Sequence, residues 1–102
     1  MPNSYTRIFI HATFAVQSHA YLIREKVEKQ IHDTITEQFE RLGCTIIAIG
    51  GMPDHVHVLF RQNEQKSLPD IIQQVKGFTS HHINASDMIP EKFAWQKGYG
   101  GY

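Results

Sequence analysis

The chain has a single cysteine, Cys44, in 102 residues. That excludes a disulfide framework and a zinc site built from cysteines alone. It has no surplus charge of either sign, with ten Lys and Arg against ten Asp and Glu. No global basic field therefore draws it to nucleic acid, and any such binding must rest on a local patch. Long apolar runs are missing too. The longest, from Cys44 to Ile49, is interrupted by Thr45 and falls far short of the roughly 20 residues a bilayer span needs. The opening Met-Pro-Asn-Ser-Tyr carries no basic segment followed by an apolar stretch, so no signal peptide is expected and a cytoplasmic location is. Repeats, linkers and low-complexity segments are absent. The length fits one domain that buries about two-thirds of its unfolded surface. What the chain does have in quantity is histidine, seven in all.

The hydrophobic pattern changes period along the chain. From Tyr5 to Val16, the residues Ile8, Ile10, Ala12, Phe14 and Val16 share one parity and Tyr5, Arg7, Phe9, His11 and Thr13 the other, as in a strand with one apolar face. Val27, Ile31, Ile35 and Phe39 then recur every four residues, with Leu22 before, Leu42 after and charged residues between. This predicts an amphipathic helix of about five to six turns, closed by Gly43. Cys44–Ile49 reads as a short buried strand, Gly50–Asp54 as a turn and His55–Phe60 as a second alternating strand, together a hairpin. Ser67-Leu68-Pro69-Asp70 is a helix start. Leu68, Ile71, Ile72, Val75 and Phe78 line one face of the helix it opens, to about Asn84. Lys92–Gln96 is expected as the last strand. The order β-α-β-β-α-β predicts an α+β, ferredoxin-like sandwich: a four-stranded antiparallel sheet with both helices on one face and the first and third strands adjacent in the centre.

That arrangement leaves one sheet face open. In the third strand Val56, Val58 and Phe60 form the apolar set, so His55, His57 and Leu59 point the other way. Side chains two apart on a strand lie about 6.5–7 Å apart on the same side, close enough for two imidazoles to converge on one ion. His11, opposite in parity to Ile10 and Phe14, also faces the open side. A His-x-His pair is by itself a weak signal, and two ligands are an incomplete shell. His81 and His82 point about 100° apart on a helix and cannot chelate together. Phe9, Trp95 and Tyr99 could serve as stacking platforms for nucleic-acid bases; the competing reading caps the core with Trp95 and Phe93. Lys76, Lys97, Arg7 and Arg61 are scattered cations able to touch phosphates.

Four blocks taken together point to one family. Gly51-Met52-Pro53-Asp54-His55-Val56-His57-Val58-Leu59 resembles the HUH segment of the small single-tyrosine transposases of the insertion sequence 200/605 type. Tyr5–Phe14 is similar to that family's opening strand, with a histidine near its middle. Val75–Ser80 with Ile83-Asn84 resembles its second helix, and Phe93-Ala94-Trp95-Gln96-Lys97-Gly98-Tyr99-Gly100 its Trp-Gln-x-Gly-Tyr-Gly stretch. The resemblance covers essentially the whole chain. It implies cleavage and rejoining of single-stranded DNA at element ends marked by hairpins. It further implies a divalent ion, Mg²⁺ or Mn²⁺, held by His55 and His57, and a tyrosine that forms a 5′-phosphotyrosine link without any nucleotide cofactor. His11 falls near the site, and Lys76, Trp95, Lys97 and Tyr99 are the candidate DNA contacts. Family members are homodimers whose sheets join edge to edge, and a homodimer is expected.

In one respect the sequence departs from the family pattern. The nucleophilic tyrosine and a Gln that completes the metal shell lie, in the family, on a helix after the Gly-Tyr-Gly stretch. Tyr99 matches the tyrosine of that stretch, and Tyr102 an aromatic position after it; neither is the nucleophile. The nucleophile is expected beyond Tyr102, and Gln96 is available as a substitute ligand. Residues 1–102 are therefore expected to be inactive alone. Two other readings stay open: a hairpin-binding module without chemistry, and a ferredoxin-like metal or ligand sensor.

Overall fold

A computed structural model describes residues 8–98 together with Gly100 and Gly101; Tyr5, Arg7, Tyr99 and Tyr102 lie outside them. The elements are β1 (Phe9–Ala15), α1 (Glu25–Arg41), β2 (Thr45–Met52), β3 (His55–Arg61), α2 (Leu68–Ser86) and a two-residue ladder, β4 (Gly100–Gly101). The fold is α+β: two helices and an antiparallel sheet in the order β2-β3-β1-β4. The alternation of β1 and β3 meets in register, with Ala12 opposite Val58 and Phe14 opposite Val56. These four side chains, with Val16 and Phe60, are fully buried beneath Val27, Ile31, Ile35 and Phe39 of α1 and Ile71, Ile72, Val75 and Ile83 of α2. Within this core the Phe39 ring lies parallel to that of Phe14 and tilted against that of Phe60.

Local chemistry accounts for the helix ends. Ser67 caps α2, its Oγ accepting from the Asp70 amide at 3.2 Å, with Pro69 in the first turn where a missing N–H costs nothing. Gly43, at φ 79°, closes α1 in the left-handed conformation that glycine adopts without a Cβ penalty. α1 starts at Glu25; Leu22 and Ile23 are buried ahead of the helix, and the Ile23 amide bonds to the Pro53 carbonyl.

Three expectations from the pattern are corrected. β2 runs on to Met52, leaving only Pro53-Asp54 as the turn, and it carries a bulge between Ile46 and Ala48. The bulge inserts Ile47, which is exposed, and so keeps both Ile46 and Ile49 on the core side. Phe78 does not join the buried face of α2; it is 44% exposed and stacks on His82 one turn later. Lys92–Gln96 is not a strand. It meets the chain just after β1 through one isolated bridge, Val16 to Trp95, flanked by hydrogen bonds Gln17 N to Ala94 O and Gln96 N to Ala15 O.

This 91–98 segment is a strap tied down by side chains. Asn84 bonds both the amide and the carbonyl of Phe93, at 2.7 and 2.9 Å. The Trp95 indole N–H donates to Thr79 Oγ1 at 2.9 Å in the core, and Arg24 pairs with Glu91 through both guanidinium nitrogens. Replacing Thr79 by Val keeps the shape but leaves the buried indole N–H unpaired, which costs about 1–3 kcal/mol. Urea denaturation checks this; an unchanged midpoint would show that the indole bond contributes nothing net.

Candidate metal and nucleic-acid site

The register that buries Val56, Val58 and Phe60 turns His55, His57 and Leu59 to the open face. Across β1 their partners are Ala15, Thr13 and His11; across β2 they are Met52, Gly50 and Ala48. The small residues Ala15 and Gly50 leave room around the pair. His55 and His57 converge, with their Nε2 atoms 3.0 Å apart and their rings edge to face. The rings of His57 and His11 stack at 5.3 Å between centroids.

Each imidazole is oriented from its other nitrogen. His55 Nδ1–H donates to Asp54 Oδ1 at 2.8 Å, which leaves its Nε2 with a lone pair. Thr13 Oγ1 lies 3.2 Å from His57 Nδ1. One assignment satisfies every contact: the Thr13 hydroxyl donates to His57 Nδ1, and His57 Nε2–H donates to His55 Nε2. Rotating the hydroxyl lets Thr13 accept instead, which moves the His57 proton to Nδ1 and frees both Nε2 lone pairs. The pair can therefore become a two-nitrogen chelate without changing its charge. Two nitrogens 3.0 Å apart also match neighbouring ligands at right angles on an ion with bonds of about 2.1 Å. The donor set thus fits a divalent cation as part of a shell. Among the described residues no group of three or more His, Cys, Asp and Glu side chains is gathered to complete it.

Asp54 and Thr13 escaped the sequence reading, although both carried a signal: Asp54 directly precedes His55, and Thr13 shares the parity of His11. The Asp54 backbone is gripped as well, since Val16 N bonds its carbonyl and Ile23 N bonds that of Pro53. His19 Nδ1 lies 3.7 Å from Asp54 Oδ2. The hydrogen bond from His55 holds the Asp54 carboxyl below its ordinary value.

The remaining candidates are dispersed. Trp95 is buried between Phe14 and Phe93, on the helix side of the sheet, because its N–H finds Thr79 there. Lys76 is bound to the strap, donating to the carbonyls of Gln96 at 2.6 Å and of Gly98, and burial lowers its pKa. Lys97 is exposed. Phe9 is exposed and shares the parity of His11. His11 thus joins the pair, while Trp95 and Lys76 are committed to holding the fold.

Known structures share this architecture. A crystal structure of a Deinococcus radiodurans R1 protein assigned as a transposase superposes with a TM-score of 0.89 at 19% identity, over 100% of this chain and 82% of that one. A REP-associated tyrosine transposase bound to a REP hairpin superposes with a TM-score of 0.67 at 13% identity, over 100% of this chain and 61% of that one. At these identities the likeness is one of fold. In sequence, residues 4–101 match the family of IS200-like transposases, and the chain belongs to that family. It is also 25% identical over 73 residues to the ISDra2 transposase TnpA of Deinococcus radiodurans, an alignment over 72% of this chain and 52% of the relative. The chain thus spans about half the length of that curated relative.

The electrostatics of the site give a pH test. Burial first, then the neighbouring His55 and His11, hold His57 below its ordinary value of 6.5. The folded chain therefore takes up this proton less readily than the unfolded chain. As the pH falls through 6.5 the unfolded state gains the proton first, and stability declines until the folded value is passed. Nuclear magnetic resonance titration of the metal-free protein should give His57 a midpoint below 6.5; a midpoint at or above it contradicts this account of the site.

Proposed function

We propose that this chain is the DNA-binding, metal-holding domain of a transposase that cuts and rejoins single-stranded DNA at hairpin-marked ends, built on the ferredoxin-like layout of the HUH enzymes. The observation that carries this reading is the convergence of His55 and His57 on the open sheet face of a chain of this family. The ion would be Mg²⁺ or Mn²⁺. When bound, it supplies Lewis-acid polarisation of the scissile phosphate. Two imidazoles alone bind it weakly, and Mn²⁺ more tightly than Mg²⁺ because nitrogen ligands favour later divalent ions.

The chain's own groups supply orientation. Asp54 fixes the His55 tautomer, the Thr13 hydroxyl holds the His57 ring in either tautomer, and the open sheet face around them admits an extended strand. A tyrosine hydroxyl attacks the phosphorus: its O–P bond forms as the bond to the 3′ oxygen breaks, giving a 5′-phosphotyrosine and a free 3′-OH. The link conserves the energy of the broken bond, so resealing needs no nucleotide cofactor. Tyr21, exposed ahead of α1, is the one tyrosine among the described residues. We place the attacking tyrosine outside residues 1–102, which makes this segment competent to bind and inactive in cleavage by itself. No helix among the described residues is long and apolar enough to cross a membrane, and the proposed location is cytoplasmic. β2 is an outer strand of the sheet, and pairing of sheet edges would give a homodimer.

Two measurements test this reading. Residues 1–102 mixed with Mn²⁺ and a labelled single-stranded hairpin oligonucleotide should retard the DNA on a native gel and give no covalent band on a denaturing one. A covalent band lost in Tyr99→Phe or Tyr102→Phe would relocate the nucleophile, and failure to bind any hairpin would overturn DNA processing. Light scattering at micromolar concentration should give twice the chain mass of 11.8 kDa; a monomer mass refutes the dimer.

A further inference from the structure

β2 contains two consecutive glycines, present for different reasons. A Cβ on Gly51 would fall 2.3 Å from the His55 carbonyl oxygen, so the tight hairpin requires glycine there. Nothing lies within 4 Å of a Cβ on Gly50, and Gly50 is not among the glycines with positive φ. The fold has no steric need of it. Glycine inside a strand nevertheless weakens it relative to Ala, and close approach of a ligand to the backbone is one of the uses that such a glycine serves.

Gly50 is the register partner of His57. Above it lies a shallow depression of about 380 Å³ lined by His11, Ala48, Ile49, Gly50, His57 and Leu59. The bulge at Ile47 creates this floor by placing Ala48 and Gly50, rather than two isoleucines, on the open face. No carboxylate lines the depression, its base is apolar, and two imidazoles border it. Backbone N–H and C=O groups lie in the plane of the sheet rather than pointing into the depression, and the side chains that line it offer few hydrogen-bond partners. Such a lining suits the face of a flat aromatic ring carried by a polyanion. Because the depression shares His57 with the histidine pair, whatever occupies it is adjacent to whatever the pair holds.

We propose that the depression over Gly50 is a nucleobase subsite. It takes the base of a single-stranded nucleotide flanking the phosphodiester at His55 and His57, against Leu59 and the His57 ring. This rests on the DNA-processing reading above and adds where the strand is gripped. With so few polar groups, the subsite holds bases by stacking and tolerates any sequence.

The test walks a single abasic position along the unpaired flank of a hairpin oligonucleotide and measures binding at each step. In the wild-type chain one flank position should weaken binding about tenfold, the scale of one stacked base. Gly50→Leu fills the depression. It should melt no lower than wild type, bind the intact oligonucleotide about tenfold more weakly, and lose sensitivity to that abasic position. Ala48→Phe is the second filling variant, should Gly50→Leu fail to fold. Hairpin binding with no sensitive flank position, or filled variants that bind like wild type, overturns the subsite and leaves DNA processing standing. Absence of any hairpin binding by the wild-type chain overturns both.

Discussion

The pairing of β3 with β1 decides both the core and the site, through the parity of six residues. His55-Val56-His57-Val58-Leu59-Phe60 has one apolar face, and burying each of its side chains is worth about 1.5–3 kcal/mol. A slip of one residue would send Val56, Val58 and Phe60 into water and bring two imidazoles into the core. The force that packs the helices onto the sheet therefore also fixes which face the histidines occupy. The same register sets Thr13 opposite His57 and Ala15 opposite His55, one supplying a hydroxyl and the other room.

A second constraint holds the end of the sheet where the site lies. The Pro53-Asp54 turn is pinned by the amides of Ile23 and Val16, so the carboxylate that orients His55 is carried on a fixed backbone. Val16 also bridges Trp95, and the strap beyond it is bound to α2 through Asn84, Thr79 and Lys76. Core packing, turn and strap are thus mechanically connected to one imidazole. Polar side chains that could have served a ligand are instead used to satisfy the backbone of a segment without regular secondary structure.

Most of this could be read from spacing because the strongest signals are periodic. The four-residue spacing of Val27, Ile31, Ile35 and Phe39 leaves only a helix, and alternation in β1 and β3 fixes the face of His11, His55 and His57. What stayed hidden depends on non-local contacts. The bulge at Ile47 breaks the period of β2, so the strand looked shorter and Gly50 looked like turn chemistry rather than open-face floor. Lys92–Gln96 has strand-like composition, but side-chain anchors from α2 decide its path. Trp95 reads equally as core or interface and Lys76 as a free surface cation; only the positions of Thr79 and of the Gln96 and Gly98 carbonyls resolve where they lie.

The central claim is that His55 and His57 together form the cation site of this domain. Calorimetric titration of Mn²⁺ into the wild-type chain and into the His55→Ala/His57→Ala variant tests it most directly, with circular dichroism to confirm that both fold. The account predicts weak binding of one ion per wild-type chain and none in the variant. Unchanged Mn²⁺ affinity in the folded variant would contradict it and move the site elsewhere.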